Sequence, residues 1–239
     1  MIPRERLIVA LDVSSAAEAR EIVLALDDAV GLYKVGMQLY TAEGPSIVRE
    51  LVSAGKKVFL DLKYHDIPNT VAAAVREAAK LGVSMLTLHA SGGTKMLTAA
   101  AAAARDTGAG SLKILAVTVL TSMNQTDLEE LGAGGRVEDQ VVRLSTLALN
   151  AGCQGVVSSA HEVKALRARL GSGFLAVTPG VRPAGAPNGD QARVVTPAQA
   201  IAAGATHIVV GRPITGAEDP ACAAKKILEE LERATHQAG

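Results

Sequence analysis

Four charged residues sit where charge is costly. Asp12 follows the apolar run Leu7–Leu11, Lys34 interrupts the run Leu32–Val35, and Asp61 and Lys63 close a run that starts at Lys57. An ion withdrawn from water without a partner costs several kcal/mol, so charges that end apolar runs are expected in pairs. Their signs alternate along the chain, which predicts a closed salt-bridge array. Asp61 and Lys63 are two apart, so on a strand both face the same way while Leu62 faces the opposite side. Charges gathered at strand ends in this way suit a functional network. Ion pairs that merely stiffen a rim use the same residue types. Four of them converging, with Asp66 three positions beyond Lys63, favour a functional network. Asp66 itself precedes Ile67-Pro68-Asn69-Thr70, where Pro68 opens a helix. The spacing does not bring Asp66 into the pocket of Asp61, and reaching a neighbouring subunit is the alternative.

A second chemical signal lies near the C-terminus. The apolar run His207–Val210 is followed by Gly211-Arg212-Pro213-Ile214-Thr215, a glycine, an arginine and a helical turn. Backbone N–H groups and a guanidinium in that arrangement suit a phosphate. A solvent-facing Arg212 is the plainer reading, and the preceding glycine weighs against it. One strand earlier, Thr178-Pro179-Gly180-Val181-Arg182 opens a segment that Gln191 closes, and Arg182–Asp190 is rich in Gly and Pro. A lid over the site and a plain surface loop are both consistent with that composition. Among the histidines, His65 is expected to face away from Asp66. His89, at a strand end, reads as structural, and His161, His207 and His236 show no cluster spacing. No metal site is expected.

The elements that must hold these residues repeat one pattern: a short apolar run, a polar turn, an amphipathic Ala-rich stretch. The predicted strands are Leu7–Leu11, Leu32–Val35, Lys57–Leu62, Met85–His89, Lys113–Leu120, Gly155–Val157, Phe174–Val177 and His207–Val210. Most are apolar throughout, as parallel strands covered on both faces are. The predicted helices are Ala16–Leu26, Pro45–Ala54, Thr70–Leu81, Thr94–Arg105, Glu138–Ala151, His161–Leu170, Pro197–Ala203 and Cys222–Arg233. Ser14 or Ser15 suits the first N-cap, Pro45 and Pro197 suit first turns, and glycines such as Gly171 and Gly204 fall just past helix ends. Thr121–Gly135 and Arg182–Thr196 are predicted as irregular loops. Eight βα units with short connections point to a closed (β/α)₈ TIM barrel, residues 1–239 forming a single catalytic domain. In such a barrel every charged strand end above lies on one face, where active sites are built. An open doubly wound sheet is the rival, but no G-x-G-x-x-G follows the first strand.

Composition agrees. Hydrophobic residues are 49% of the chain and aromatics only 2%, so the core must be filled by Ala, Val, Leu and Ile. Lysine plus arginine and aspartate plus glutamate both number 24, which argues against a broad nucleic-acid or membrane footprint while allowing a local anion site. Cys153 and Cys222 lack metal-type spacing and are expected as reduced, buried thiols. The first apolar run is five residues, too short for a signal peptide or membrane span, and a cytoplasmic protein is expected.

The runs Asp61-Leu-Lys63-Tyr-His-Asp66-Ile67-Pro-Asn-Thr70, Lys34-Val-Gly-Met, Thr178-Pro-Gly-Val-Arg182 and Val210-Gly-Arg212-Pro-Ile resemble the orotidine 5′-phosphate decarboxylase family, in order, from Leu7 to about Leu231. The Asp-x-Lys-x-x-Asp element is shared with metal-dependent sugar-phosphate decarboxylases and synthases, which carry an acidic ligand after strand two. Lys34 in that neighbourhood points to the metal-free nucleotide enzyme. The resemblance implies decarboxylation of a pyrimidine nucleotide without cofactor, by a homodimer. It implies that Lys63 protonates C6, that Asp61 lies beside the substrate carboxylate, and that Asp12 and Lys34 contact the ribose, Lys34 also bracing the charges. Asp66, Ile67 and Thr70 would be offered to the partner's site, with Asp66 counted among the catalytic residues. Thr121 and Ser122 would contact the base. Pro179, Arg182, Gln191, Gly211 and Arg212 also fall to substrate binding, the last four as phosphate grip and lid. A non-catalytic phospholigand-binding barrel is the reading from a different class.

Overall fold

A computed structural model describes residues 1–108, 112–183 and 195–237. Eight parallel strands close into a barrel in sequence order. They are β1 (Leu7–Ala10), β2 (Leu32–Gly36), β3 (Lys57–Tyr64), β4 (Met85–His89), β5 (Lys113–Val117), β6 (Gly155–Val157), β7 (Leu175–Thr178) and β8 (His207–Val210). The ring shuts where Leu7, Ile8 and Val9 pair with Ile208, Val209 and Val210. The chain is therefore a (β/α)₈ barrel, as the alternation of runs predicts.

Twelve helices are described. A single turn, α1 (Pro3–Arg6), precedes β1. Between strands lie α2 (Ala16–Leu26), α3 (Met37–Glu43), α4 (Pro45–Ser53), α5 (Pro68–Lys80), α6 (Gly93–Asp106), α7 (Gln125–Glu130), α8 (Val137–Asn150), α9 (Ala160–Leu170) and α10 (Pro197–Ala202), and α11 (Arg212–Thr215) and α12 (Pro220–Gln237) follow β8. Their ends carry the expected signals. The Ser15 hydroxyl accepts the Glu18 N–H at α2, and Gly171 closes α9 at φ 77°, a left-handed conformation that disfavours any residue with a Cβ.

Burial separates two layers. Outward strand residues such as Leu7, Val9, Tyr33, Leu60 and Leu86 pack with the helices in the main core. Ile8, Ala10, Leu32, Phe59, Met85, Leu115, Val177 and Val209 form a smaller cluster that fills the barrel interior. One pleat further along each strand, the side chains point the same way but emerge at the C-terminal mouth. That step of two leads from Ala10 to Asp12, Leu32 to Lys34, Phe59 to Asp61, Met85 to Thr87, Leu115 to Val117, Val177 to Pro179 and Val209 to Gly211.

Four expectations are corrected. β5 ends at Val117, not Leu120, because Val119 and Leu120 are apolar as cavity wall and not as strand. β3 runs to Tyr64, beyond Leu62, through a bulge described below. The segment Thr121–Gly135 is not wholly irregular, since α7 forms there behind an Asn124/Asp127 capping box whose Asp, in place of Glu or Gln, weakens the sequence signal. Cys153 is buried, and its thiol is pushed up to about 12 by that burial, but Cys222 near the start of α12 is exposed. Among the described residues no helix is long and apolar enough to cross a membrane.

Candidate active site

A cavity of about 460 Å³ opens at the C-terminal mouth. Its walls carry Asp12, Lys34, Asp61, Lys63, Thr121, Pro179, Arg182, Gly211 and Arg212, drawn from the ends of six strands far apart in sequence. The predicted array is present. The Lys34 Nζ donates to Asp12 Oδ1 at 2.6 Å and lies 3.8 Å from Asp61 Oδ2, while Lys63 Nζ donates to Asp61 Oδ1 at 2.9 Å. The chain of charges thus runs Asp12, Lys34, Asp61, Lys63, two of each sign. The Asp61 side chain is 14% exposed and that of Lys63 24%, so both are shielded from bulk water yet face the cavity. Opposite charges so shielded need each other as partners, since a shielded ion left unpaired is costly.

Local backbone explains how two residues of one strand meet so closely. Leu60 pairs with Leu86 and Tyr64 with Leu88, so residues 61–63 of β3 face only Thr87 on β4. Lys63 adopts φ 53°, a left-handed conformation rare for a side chain of its size. Its N–H donates to Thr87 Oγ1 at 2.9 Å, and the same hydroxyl donates to Asp61 Oδ1 at 2.9 Å. Simple alternation put Asp61 and Lys63 on one side; the bulge adds the turn that brings Nζ back onto the carboxylate. Thr87 was not singled out from the sequence, although the step of two from Met85 was there to be read. Gly36 is a second residue that went unread. A Cβ there would stand 2.8 Å from Lys34 Nζ and 3.0 Å from Asp12 Oδ1, so any other residue would force the ammonium and its carboxylate to shift.

Across the cavity, Arg182 is 7% exposed, its N–H donates to Val195 O at 3.0 Å, and its Nε has no hydrogen-bond partner among the described residues. Burial and the neighbouring Arg212 charge both hold its guanidinium below the usual arginine range. Two guanidinium groups facing one cavity, one of them buried with an unused donor, suit a dianionic group. The backbone of α11 contributes less than expected, since Pro213 has no N–H and those of Ile214 and Thr215 donate to Gly211 O. A Cβ at Gly211 would only touch Ala10 at 3.6 Å, so the protein's own packing does not demand glycine, and its effect is to leave room on the cavity floor.

Other predicted residues lie elsewhere. Ser122 is exposed next to Thr121 and is not part of the wall. Asp66, Ile67 and Thr70 are exposed on the rim at the start of α5, where Asp66 Oδ1 accepts the Ile67 N–H and Ile67 is 66% exposed. Within the chain they do not join Lys63. Gln191 falls outside the described residues, as does the segment 184–194 of the anticipated lid; its base is pinned by a bridge between Val181 and Val195. The His65 and His89 rings lie 5.6 Å apart, tilted by 42°, and burial, then His65 and Lys63, push His89 below its usual range. Among the described residues no group of three or more His, Cys, Asp or Glu is placed to hold a metal ion. Lys34 instead stands between the two carboxylates that a cation would bridge.

Residues 5–227 match the model of the orotidine 5′-phosphate decarboxylase / HUMPS family. The chain belongs to this family. An orotidine 5′-phosphate decarboxylase from Anaeromyxobacter sp. (strain K) is 53% identical over 97% of this chain and 100% of its own length, and one from Halorhodospira halophila is 54% identical over 95% of each. The crystal structure of orotidine 5′-phosphate decarboxylase from Lactobacillus acidophilus superposes with a TM-score of 0.85 at 40% identity, covering 94% of this chain and 98% of that one.

Proposed function

We propose that the protein converts orotidine 5′-phosphate to uridine 5′-phosphate, the last step of pyrimidine nucleotide synthesis, by electrostatic stabilisation of a C6 carbanion. The observation that carries this reading is the paired Asp61–Lys63 charge in the same cavity that Arg182 and Arg212 line. Relatives that are half identical over nearly the whole chain carry the same activity in their names. In the reaction, the bond from C6 to the carboxylate breaks and its electron pair stays on C6. The ring delocalises that pair poorly, so stabilisation must come from a charge already in place. The Lys63 ammonium meets that need and then transfers its proton to C6, becoming a neutral amine that regains a proton from solvent. Asp61 lies beside the substrate carboxylate and holds the Lys63 ammonium in place.

The rest of the nucleotide is distributed along the walls. Asp12 and Lys34 take the ribose hydroxyls and Thr121 the base, with Pro179 alongside and Ser122 reaching the base from just outside the wall. Arg182, Gly211 and Arg212, with Gln191, take the phosphate. Binding energy gained at the phosphate, remote from C6, is available to exclude water and order the reacting groups. The active form is a cytoplasmic homodimer in which Asp66, Ile67 and Thr70 complete the partner's site. Their exposure on the rim supports this, as does the 66% exposure of an isoleucine there.

The test is the loss of orotidine 5′-phosphate absorbance with EDTA present. Turnover that is unchanged by the chelator is the expected result. Turnover restored only by magnesium would favour a metal-dependent sugar-phosphate enzyme of the same family, and tight binding without turnover would favour a silent phospholigand barrel.

A further inference from the structure

Thr87 lies on β4, fully buried, and belongs to none of the groups assigned to substrate. A threonine hydroxyl offers one donor and two acceptor positions. Here the donor goes to Asp61 Oδ1 at 2.9 Å and an acceptor position takes the Lys63 N–H at 2.9 Å. Both reacting residues are thus tied to one oxygen. The tie falls at the point where the ladder offers nothing else, because residues 61–63 share Thr87 as their only opposite number across the bulge. Lys63 is held at φ 53° there. On the carboxylate, Oδ1 takes two donors, the Thr87 hydroxyl and the Lys63 ammonium, while Oδ2 faces Lys34 Nζ at 3.8 Å. The hydroxyl therefore fixes the plane of the carboxylate from the strand side and the backbone of the lysine from below.

We propose that Thr87 is a positioning residue for the decarboxylation proposed above: its hydroxyl holds the Asp61 carboxylate and the bulged Lys63 backbone in the one arrangement that aims the ammonium into the cavity. The proposal rests on that reaction being the right one. Thr87 touches no substrate atom in this account, so it acts on the chemical step and not on binding. Phosphate and ribose contacts come from Arg182, Arg212, Asp12 and Lys34, none of which bonds Thr87.

The experiment compares the full-length wild type with Thr87→Val, Thr87→Ser and Thr87→Ala. The readouts are kcat and KM on orotidine 5′-phosphate, the Kd of uridine 5′-phosphate, and circular dichroism for folding. Thr87→Val keeps the shape and removes the hydroxyl, and kcat should fall about 10- to 100-fold, the scale of a lost hydrogen bond to a charged group. KM and the product Kd should stay within about threefold, because uniform binding is untouched. Ser and Ala both lose the methyl and differ only in the hydroxyl, so Thr87→Ser should recover most of the rate that Thr87→Ala loses; this pair decides the matter even if the valine variant does not fold. A wild-type kcat in Thr87→Ala, equal rates for the Ser and Ala variants, or a loss confined to KM would each overturn the proposal while leaving the wild-type activity standing. A wild type inert on orotidine 5′-phosphate overturns the proposed reaction itself.

Discussion

Lys34 bonds one carboxylate at 2.6 Å and approaches a second at 3.8 Å, and that bridging position makes the cavity's charges interdependent. Remove any one of the four and the set is left with an unbalanced charge. On the opposite wall the logic is reversed. Arg182 and Arg212 repel one another, and an anion bound between them relieves the repulsion. Arg212→Ala should therefore raise KM for orotidine 5′-phosphate by about 10- to 100-fold, the scale of a lost charge-assisted hydrogen bond. Steady-state kinetics on orotidine, which lacks the phosphate, should show almost no change in the same variant. Equal losses on both substrates would remove Arg212 from phosphate binding. These residues could be read from the sequence because each is a polar intrusion at the end of an apolar run. Thr87 escaped because threonine is an ordinary strand residue, and nothing in its type reveals what it bonds. Gly36 escaped because close approach is a property of the folded array.

At the scale of elements, the eight strands were visible because parallel strands covered on both faces must be apolar throughout. Their ends were less so. An apolar cavity wall reads like a strand, which is why β5 was drawn three residues too long, and the bulge that carries β3 to Tyr64 leaves no mark on hydrophobicity. The short helices α1, α3 and α7 are too brief for a period to emerge and were missed as elements. The start of α5 carries the rim residues Asp66, Ile67 and Thr70. Under the proposed dimer, Ile67 is covered by the partner, and Ile67→Glu would place a carboxylate there. Sedimentation should show a dimer for the wild type and dimer affinity weakened on the order of 100-fold or more in the variant, the scale of an unpaired interfacial charge. A variant as dimeric as the wild type would move the interface elsewhere.

The whole molecule is formally neutral, yet its mouth is strongly charged: an internally balanced set of four charges and two guanidinium groups line one cavity. Neutrality on the chain scale argues against a broad anionic partner, yet it leaves room for a local site, and the arginines follow strands seven and eight, where barrels place phosphates. The geometry that could not be read ahead was the closure itself. Which side chains meet across the ring depends on register, and register is a property of all eight strands together. The barrel has one layer of apolar residues beneath the charges, so its integrity does not depend on Lys63. Lys63→Ala is thus the most direct measurement. The account predicts a folded barrel by circular dichroism, binding of uridine 5′-phosphate largely retained, and a loss on the order of several kcal/mol of transition-state stabilisation in kcat/KM on orotidine 5′-phosphate. A folded Lys63→Ala protein that decarboxylates at close to the wild-type rate would contradict it.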